Sequence, residues 1–275
     1  MGLIEALLLL LFGFAVGLPA SMAGLGGGFI IVPVLIIFFG LPAQNAVAVS
    51  LMAMCGTSIS ATVAYVRQKR VDYLLGLVYD VLDLPGVALG AYLTTFLPSD
   101  FLAGIVGALV MVMSALLFTR NKESQLIEKQ DLKNQPSKGW KRTMVDSSGK
   151  VFKYRIRSPV LVLLSSFAGG LVAGMCGLGG GITDTSTMIL LGVSPHIAIA
   201  SSEFAMTLTS LTGIFAHGFL HNLLFDYAIP ITAGTVIGAQ AGSTLAKRVK
   251  GKTLRKILSI IGFLAGIRLI MYALI

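Results

Sequence analysis

The pentapeptide GLGGG occurs twice, at Gly24 to Gly28 and at Gly177 to Gly181, each time inside a strongly apolar stretch. No other feature constrains the fold as much, because the match runs well beyond the glycines. Ala46, Ala48 and Ser50 fall on Ala198, Ala200 and Ser202, and Asp72-Tyr73 falls on Asp226-Tyr227. Further along, Gly86 and Gly90 fall on Gly238 and Gly242, and Leu102 on Leu254, all at offsets of 152 to 154. The chain is a tandem repeat of two apolar halves. Weak internal symmetry in a hydrophobic chain is a signature of transporters.

Composition fixes the solvent. Charged residues make up 12% of the chain, against roughly 25% in soluble domains, and mean hydropathy is +0.87. So little charge does not cover a water-facing surface; the expected solvent is lipid. The first apolar stretch, Gly2 to Leu18, lacks a basic leading region and runs straight into the first repeat. It reads as a retained membrane helix and not as a signal peptide.

Each half divides into five apolar segments. They are about 3–22, 26–40, 43–66, 73–97 and 100–119, then about 159–176, 179–192, 196–217, 227–246 and 254–275. The organisation is a first repeat (1–119), a hydrophilic connector (120–158) and a second repeat (159–275). A full helical span needs roughly 17 to 25 residues, and three segments in each half qualify. The pair flanking each glycine run is either two tilted spans or two half-helices meeting inside the membrane, where irregular backbone must line a protein cavity.

Basic residues set the topology. Of 21 Lys and Arg, eleven lie between Arg120 and Arg157, three are Arg67, Lys69 and Arg70, six lie between Lys247 and Lys256, and Arg268 stands alone. The positive-inside rule puts all three clusters in the cytoplasm. The basic loop follows the third segment in one half and precedes the fifth in the other, so equivalent loops lie on opposite faces. The fold expected is an all-α polytopic membrane protein of two inverted-topology repeats, with Gly-rich breaks near the midplane. It is multi-pass in the cell membrane, with the connector cytoplasmic and both termini outside. The net charge of +9 reflects this topology and is no argument for nucleic acid.

The connector reads as a solvated loop with a short hairpin around Ser147 to Lys150. Cys55 and Cys176 read as small packing residues, too few for a metal site or a disulfide framework.

Two glycine breaks related by a pseudo-two-fold axis should meet near the midplane. Helix N-termini there present free amides and a positive dipole end to an anion. The candidate substrate-binding backbone is Gly24, Gly26, Gly27 and Gly28 with Gly177, Gly179, Gly180 and Gly181. Nearby neutral donors are Ser21, Gln44, Asn45, Ser50, Thr183, Ser201 and Ser202. The alternative for the glycines is close helix crossing, and for the polar side chains interhelical hydrogen bonding.

Ionisable groups in membrane segments are costly and carry functional hypotheses. Glu203 and Asp184 follow the second glycine run, where both are placed to approach one cavity, and are the leading candidates to bind a coupling proton. Asp80 and Asp83, three apart and so on one helical face, are the second pair; Asp83 also precedes Pro85 and serves a kink on the alternative reading. His196, His217 and His221 lack a ligand set, so no metal and no cofactor are expected.

The arrangement resembles the TauE/SafE family of sulfite exporter-like permeases. The resemblance rests on the doubled GLGGG with Pro33 nearby, on NAVAVSL (Asn45 to Leu51) and HIAIASSE (His196 to Glu203), and on the basic central loop. It covers both repeats. It implies secondary transport of small sulfur-containing anions such as sulfite, sulfoacetate and other organosulfonates, directed out of the cell. The second copy departs from the first in carrying Ser186 in place of Pro33, and acids where the first is apolar. An anion channel or pore, or a carrier of another small anion, stays open beside this reading. No Ser/His/Asp set, HExxH or nucleotide loop supports an enzyme. The partners expected are a small anionic substrate and the bilayer, with a homodimer left open.

Overall fold

Ten α-helices follow the ten expected segments in a computed structural model that describes residues 2–130, 140–156, 159–245 and 251–274. They are α1 (Leu3–Ala23), α2 (Gly28–Phe39), α3 (Ala43–Arg67), α4 (Tyr73–Leu93) and α5 (Ser99–Gln130) in the first half. The strands β1 (Trp140–Val145) and β2 (Val151–Ile156) follow. The second half contributes α6 (Pro159–Cys176), α7 (Gly181–Leu190), α8 (Pro195–Phe219), α9 (Phe225–Leu245) and α10 (Gly251–Leu274). Among the described residues six helices are long and apolar enough to cross a membrane by length and composition, and the exposed positions along them are rich in Leu, Ile, Val and Phe. The protein is an all-α polytopic membrane protein. Of the basic residues counted above, Lys133, Lys138, Arg157, Lys247, Arg248 and Lys250 lie outside the described residues.

Each GLGGG run stops one helix and starts the next. Gly24 ends α1 at φ +71° with its amide returning to the Ala20 carbonyl, and Gly177 ends α6 at φ +63° with its amide on Ala173. A side chain disfavours that left-handed backbone. The helices that follow are short: α2 has 12 residues and α7 has 10. At 1.5 Å per residue they reach about 18 and 15 Å, roughly half of a 30 Å hydrocarbon core. Gly28 starts α2 beside Ser50 and Met54, near the middle of α3, and Gly181 starts α7 beside Met206, near the middle of α8.

The halves interleave. Gly234, Gly238 and Gly242 of α9 press on Leu10, Phe14 and Leu18 of α1, so these helices run in the same direction. Gly86 and Gly90 of α4 meet Phe167 and Leu171 of α6, and Gly170 and Gly174 meet Asp83 and Val87, again in parallel. Gly107 and Gly266 bring α5 and α10 together in opposite directions. Small residues let apolar backbones approach closely where no hydrophobic force favours one helix contact over lipid. Gly86 and Gly90 are the repeat equivalents of Gly238 and Gly242, and both pairs do the same job. Exchanging the two halves converts the α1–α9 contact into α6–α4, and α3–α9 into α8–α4. The central helix α3 is the most enclosed of the six candidate spans, with α8 next.

One end of the molecule carries the α3–α4 and α7–α8 turns and the hairpin. The other carries the α2–α3, α4–α5 and α8–α9 turns. There the Ser99 hydroxyl accepts from the Ala43 amide, Gln44 donates to Leu97, and Asn45 donates to Asn222.

The hairpin turns where expected, but it is not simply solvated. β1 and β2 pair antiparallel around Asp146 to Lys150. Phe152, Tyr154 and Ile156 alternate inward and are buried with Leu75 and Tyr79 of α4, Val162 of α6, and Met188, Ile189 and Ile197 of α7 and α8. The first helix of the connector region is also longer than its apolar segment: α5 continues through Gln130.

Candidate functional site

The two glycine runs meet head to tail. A Cβ on Gly28 would collide with the Gly177 carbonyl oxygen, and one on Gly181 would stand 3.0 Å from the Gly24 carbonyl oxygen. The first residue of each run therefore faces the last of the other. Ser50 donates to Gly177 across this junction at 2.8 Å. On the opposite side Thr185 bonds Gly181 at 2.5 Å and stands 2.6 Å from Ser202. Ser50 and Ser202 are repeat equivalents, and both sit at the breaks.

Two methionines fill the space beside the glycines. Met54 of α3 lies against Gly26, Gly28 and Gly179, and Met206 of α8 lies against Gly26, Gly179 and Gly181. Both are fully buried. Reading the sequence for polar groups missed them. The signal was present, since the offset of 152 that pairs Ser50 with Ser202 also pairs Met54 with Met206.

The carboxylates divide differently from the expectation. Asp184, in the first turn of α7, packs its carboxylate against Gly180 of the second run. Asp83 of α4 approaches it across α6. Gly169 of α6 is the spacer: a Cβ there would lie 3.1 Å from both Asp184 Oδ1 and Thr183 Oγ1, and 3.7 Å from Asp83 Oδ1. The Thr209 hydroxyl donates to Asp83 and stands 3.5 Å from Asp80 Oδ1. Asp80, Asp83 and Asp184 are each at most 3% exposed, and Asp80 Oδ2 and Asp83 Oδ1 have no hydrogen-bond partner. Glu203 is fully buried on α8 and neither of its oxygens has a partner. Three aspartates thus gather around Gly169 and Thr209 and touch the glycine junction through Asp184, while Glu203 makes no hydrogen bond to any of them.

The remaining candidates scatter. Ser21 donates to Ala239 at 3.2 Å, tying α1 to α9. Thr183 bonds the Gly180 carbonyl at 2.8 Å, beside Asp184. Ser201 accepts from the Asp72 amide at 2.9 Å, at the hairpin end. Gln44 and Asn45 hold turns at the opposite end and do not reach the glycines. His217 bonds the Gly174 carbonyl at 2.8 Å, and Asn222, 3.1 Å from its other ring nitrogen, takes the hydrogen bond from Asn45. That network braces the last turn of α6 below the second break. Among the described residues no group of His, Cys, Asp and Glu is arranged to hold a metal ion.

At the hairpin end Asp72 caps α4, accepting from the Leu75 amide. Arg142 of β1 grips its carboxylate with two nitrogens, at 2.9 and 2.6 Å, and the Tyr154 hydroxyl donates to it as well. Burial opposes its charge, but these partners outweigh burial and hold its carboxyl below the usual carboxylate range. A second pair, Arg70 with Asp146 at 3.1 Å, ties the hairpin turn to the α3–α4 loop.

Comparison with known proteins adds a family to this geometry. The model of the family described as "Sulfite exporter TauE/SafE" matches residues 9–269. The chain is 30% identical to the "Probable membrane transporter protein YunE" of Bacillus subtilis (strain 168), over 96% of each chain. A second protein of that bacterium with the same description, YdhB, is 21% identical over 96% of this chain and all of its own. "Sulfite exporter TauE/SafE family protein 3" of Arabidopsis thaliana is 31% identical over 32% of this chain and 19% of its own length. No solved structure matches.

Proposed function

Because the chain belongs to the sulfite exporter TauE/SafE family, and so is a membrane transporter, we propose that it carries small sulfur-containing anions, sulfite or organosulfonates, outward across the cell membrane. The observation that carries this reading is the apposition of the two glycine runs, where helix starts α2 and α7 converge with the hydroxyls of Ser50, Thr185 and Ser202. Helix starts and neutral hydroxyls suit a tetrahedral or pyramidal oxyanion, and no buried Lys is needed. Gly28 and Gly181 let that backbone approach a ligand.

The proposal includes inverted halves. The parallel runs of α1 with α9 and of α4 with α6 support it, because each helix then pairs with the one expected to share its direction. Arg67, Lys69, Arg70 and the basic hairpin stand at one end, which the positive-inside rule assigns to the cytoplasm, leaving both termini outside.

Coupling is assigned to Asp80, Asp83 and Asp184. Three ionised carboxylates held together without a cation repel one another and any anion arriving at Gly180, and burying even one such charge costs several kcal/mol. Protons on this group remove both penalties, so proton binding there and anion binding at the glycines favour each other. Glu203 takes a secondary place because no partner links it to the junction.

The test is flux in proteoliposomes. Sulfite and sulfoacetate uptake is expected to saturate and to respond to an imposed pH gradient. Saturable flux indifferent to the gradient would remove the proton from the proposal, and absence of flux for both anions would remove the substrate class.

A further inference from the structure

The proposed substrate position is occupied by protein. Where an anion would meet the glycine amides, the thioethers of Met54 and Met206 lie against both runs at once. A Cβ on Gly26 would stand 2.6 Å from Met206 Sδ and 3.2 Å from Met54 Cε. One on Gly28 would stand 2.6 Å from Met54 Sδ, and one on Gly181 2.7 Å from Met206 Cε. Gly179 is touched by both methionines. The pair is related by the repeat, sits on the two helices that cross at the centre, and excludes solvent completely.

Methionine suits a movable plug. Its side chain is unbranched, with three rotatable bonds, and refills irregular space at little cost. A β-branched residue at the same place would be stiff at χ1. The thioether offers an anion no strong donor, so while it lies on the glycines it denies them to water and ligand alike. Ser50 Oγ is 3.8 Å from Met54 Sδ, so withdrawal of Met54 would expose that hydroxyl together with the Gly28 start of α2. Each half supplies one of the two methionines, and each thioether reaches both glycine runs.

Resting on the transport reading above, we infer that Met54 and Met206 are paired plugs of the glycine junction and set the largest anion it admits. Shortening either side chain enlarges the space left for the group attached to the sulfur, and branching slows its withdrawal.

The experiment compares Met54→Ala, Met206→Ala, the double variant, Met54→Leu and Met54→Ile as full-length protein in liposomes. Size-exclusion profile and thermal transition serve as folding checks. Uptake of sulfite and sulfoacetate is measured side by side, together with passive nitrate leak. The alanine variants should raise the sulfoacetate-to-sulfite ratio by about tenfold or more, the discrimination that one or two methylenes of pocket contact provide. Met54→Leu should keep the wild-type ratio, and Met54→Ile should slow both anions together. The double alanine variant should leak nitrate where wild type does not. Folded alanine variants with unchanged ratio and no leak would overturn the inference. Should wild type carry neither sulfur anion, the substrate class fails and the nitrate leak alone decides the plug.

Discussion

The two glycine breaks share left-handed backbone at Gly24 and Gly26 and at Gly177 and Gly179, but Gly27 is left-handed where Gly180 is not, and their surroundings differ. After the first run come Phe29, Ile31 and Val32, all buried in the main apolar core with Leu35 and Ile36. After the second come Thr183, Asp184 and Thr185, which turn to Gly169, the α4 aspartates and Ser202. Both breaks cap the preceding helix in the same left-handed way, and both place a serine and a methionine at equivalent points. The repeat thus supplies the helix-ending geometry twice, and divergence supplies the chemistry once. The apolar break anchors against α3 and α10, while the polar break carries the ionisable group.

The largest effect should follow from breaking the contact that the two halves share. Gly28→Ala drives a Cβ into backbone, the Gly177 carbonyl, which has no rotamer to yield. It should abolish flux and lower stability by about 1–3 kcal/mol, the usual cost of overpacking. Its counterpart Gly181→Ala meets mainly the flexible end of Met206 and should be folded and partly active. Equal losses in thermal melts and flux would mean that the junction is symmetric after all. Next in size, Asp184→Asn should retain saturable flux but lose its response to a pH gradient, whereas Ile31→Ala, at the equivalent place in the first break, should keep the response. A gradient response surviving Asp184→Asn would return Glu203 to the leading place.

Smaller effects are expected at the hairpin, which packs on α4, α6, α7 and α8 away from the glycine junction. Arg142→Ala leaves buried Asp72 with the neutral donors Tyr154 and the Leu75 amide and should loosen the hairpin by about 1.5–3 kcal/mol, the range for hydrogen bonds to charged groups. Limited proteolysis between Trp140 and Ile156 reads this out. The smallest response should come from mild acid. The Asp72 carboxyl is held below its ordinary value, so its contribution is present above that value and is lost as pH falls through the lowered one. Hairpin protection from protease should therefore be the same at pH 7 and at about pH 5. Release within that interval would show the latch to be weaker than its geometry.

Local pattern made most of the scaffold legible. Apolar length placed nine of the ten helices within a few residues and missed the extension of α5 to Gln130; the doubled glycines gave the break points, and Ser147 to Lys150 gave the hairpin turn. What escaped depends on contacts between distant elements. No spacing in sequence announces that Asp184 of α7 joins Asp80 and Asp83 of α4, because the link runs through a glycine of α6. Gln44, Asn45 and Ser201 carry the right chemistry for a ligand site, yet backbone groups of neighbouring turns claim them. The docked hairpin had a readable sign: Phe152, Tyr154 and Ile156 alternate with Lys153 and Arg155, the period-two pattern of a half-buried strand. Its net charge hid the apolar face.

The interleaving of the halves bears on how such a chain is assembled. Ser21 on α1 bonds Ala239 on α9, 218 residues away, so the glycine faces of α1 stay unmatched until almost the whole chain has been synthesised. The partner of α4 is α6, which also follows the connector. A ribosome pausing after α5 would leave a membrane intermediate whose small-residue grooves face lipid, open to the wrong helix. Neither half should therefore fold alone, and a chain cut at the connector should yield two fragments that mature only in each other's company.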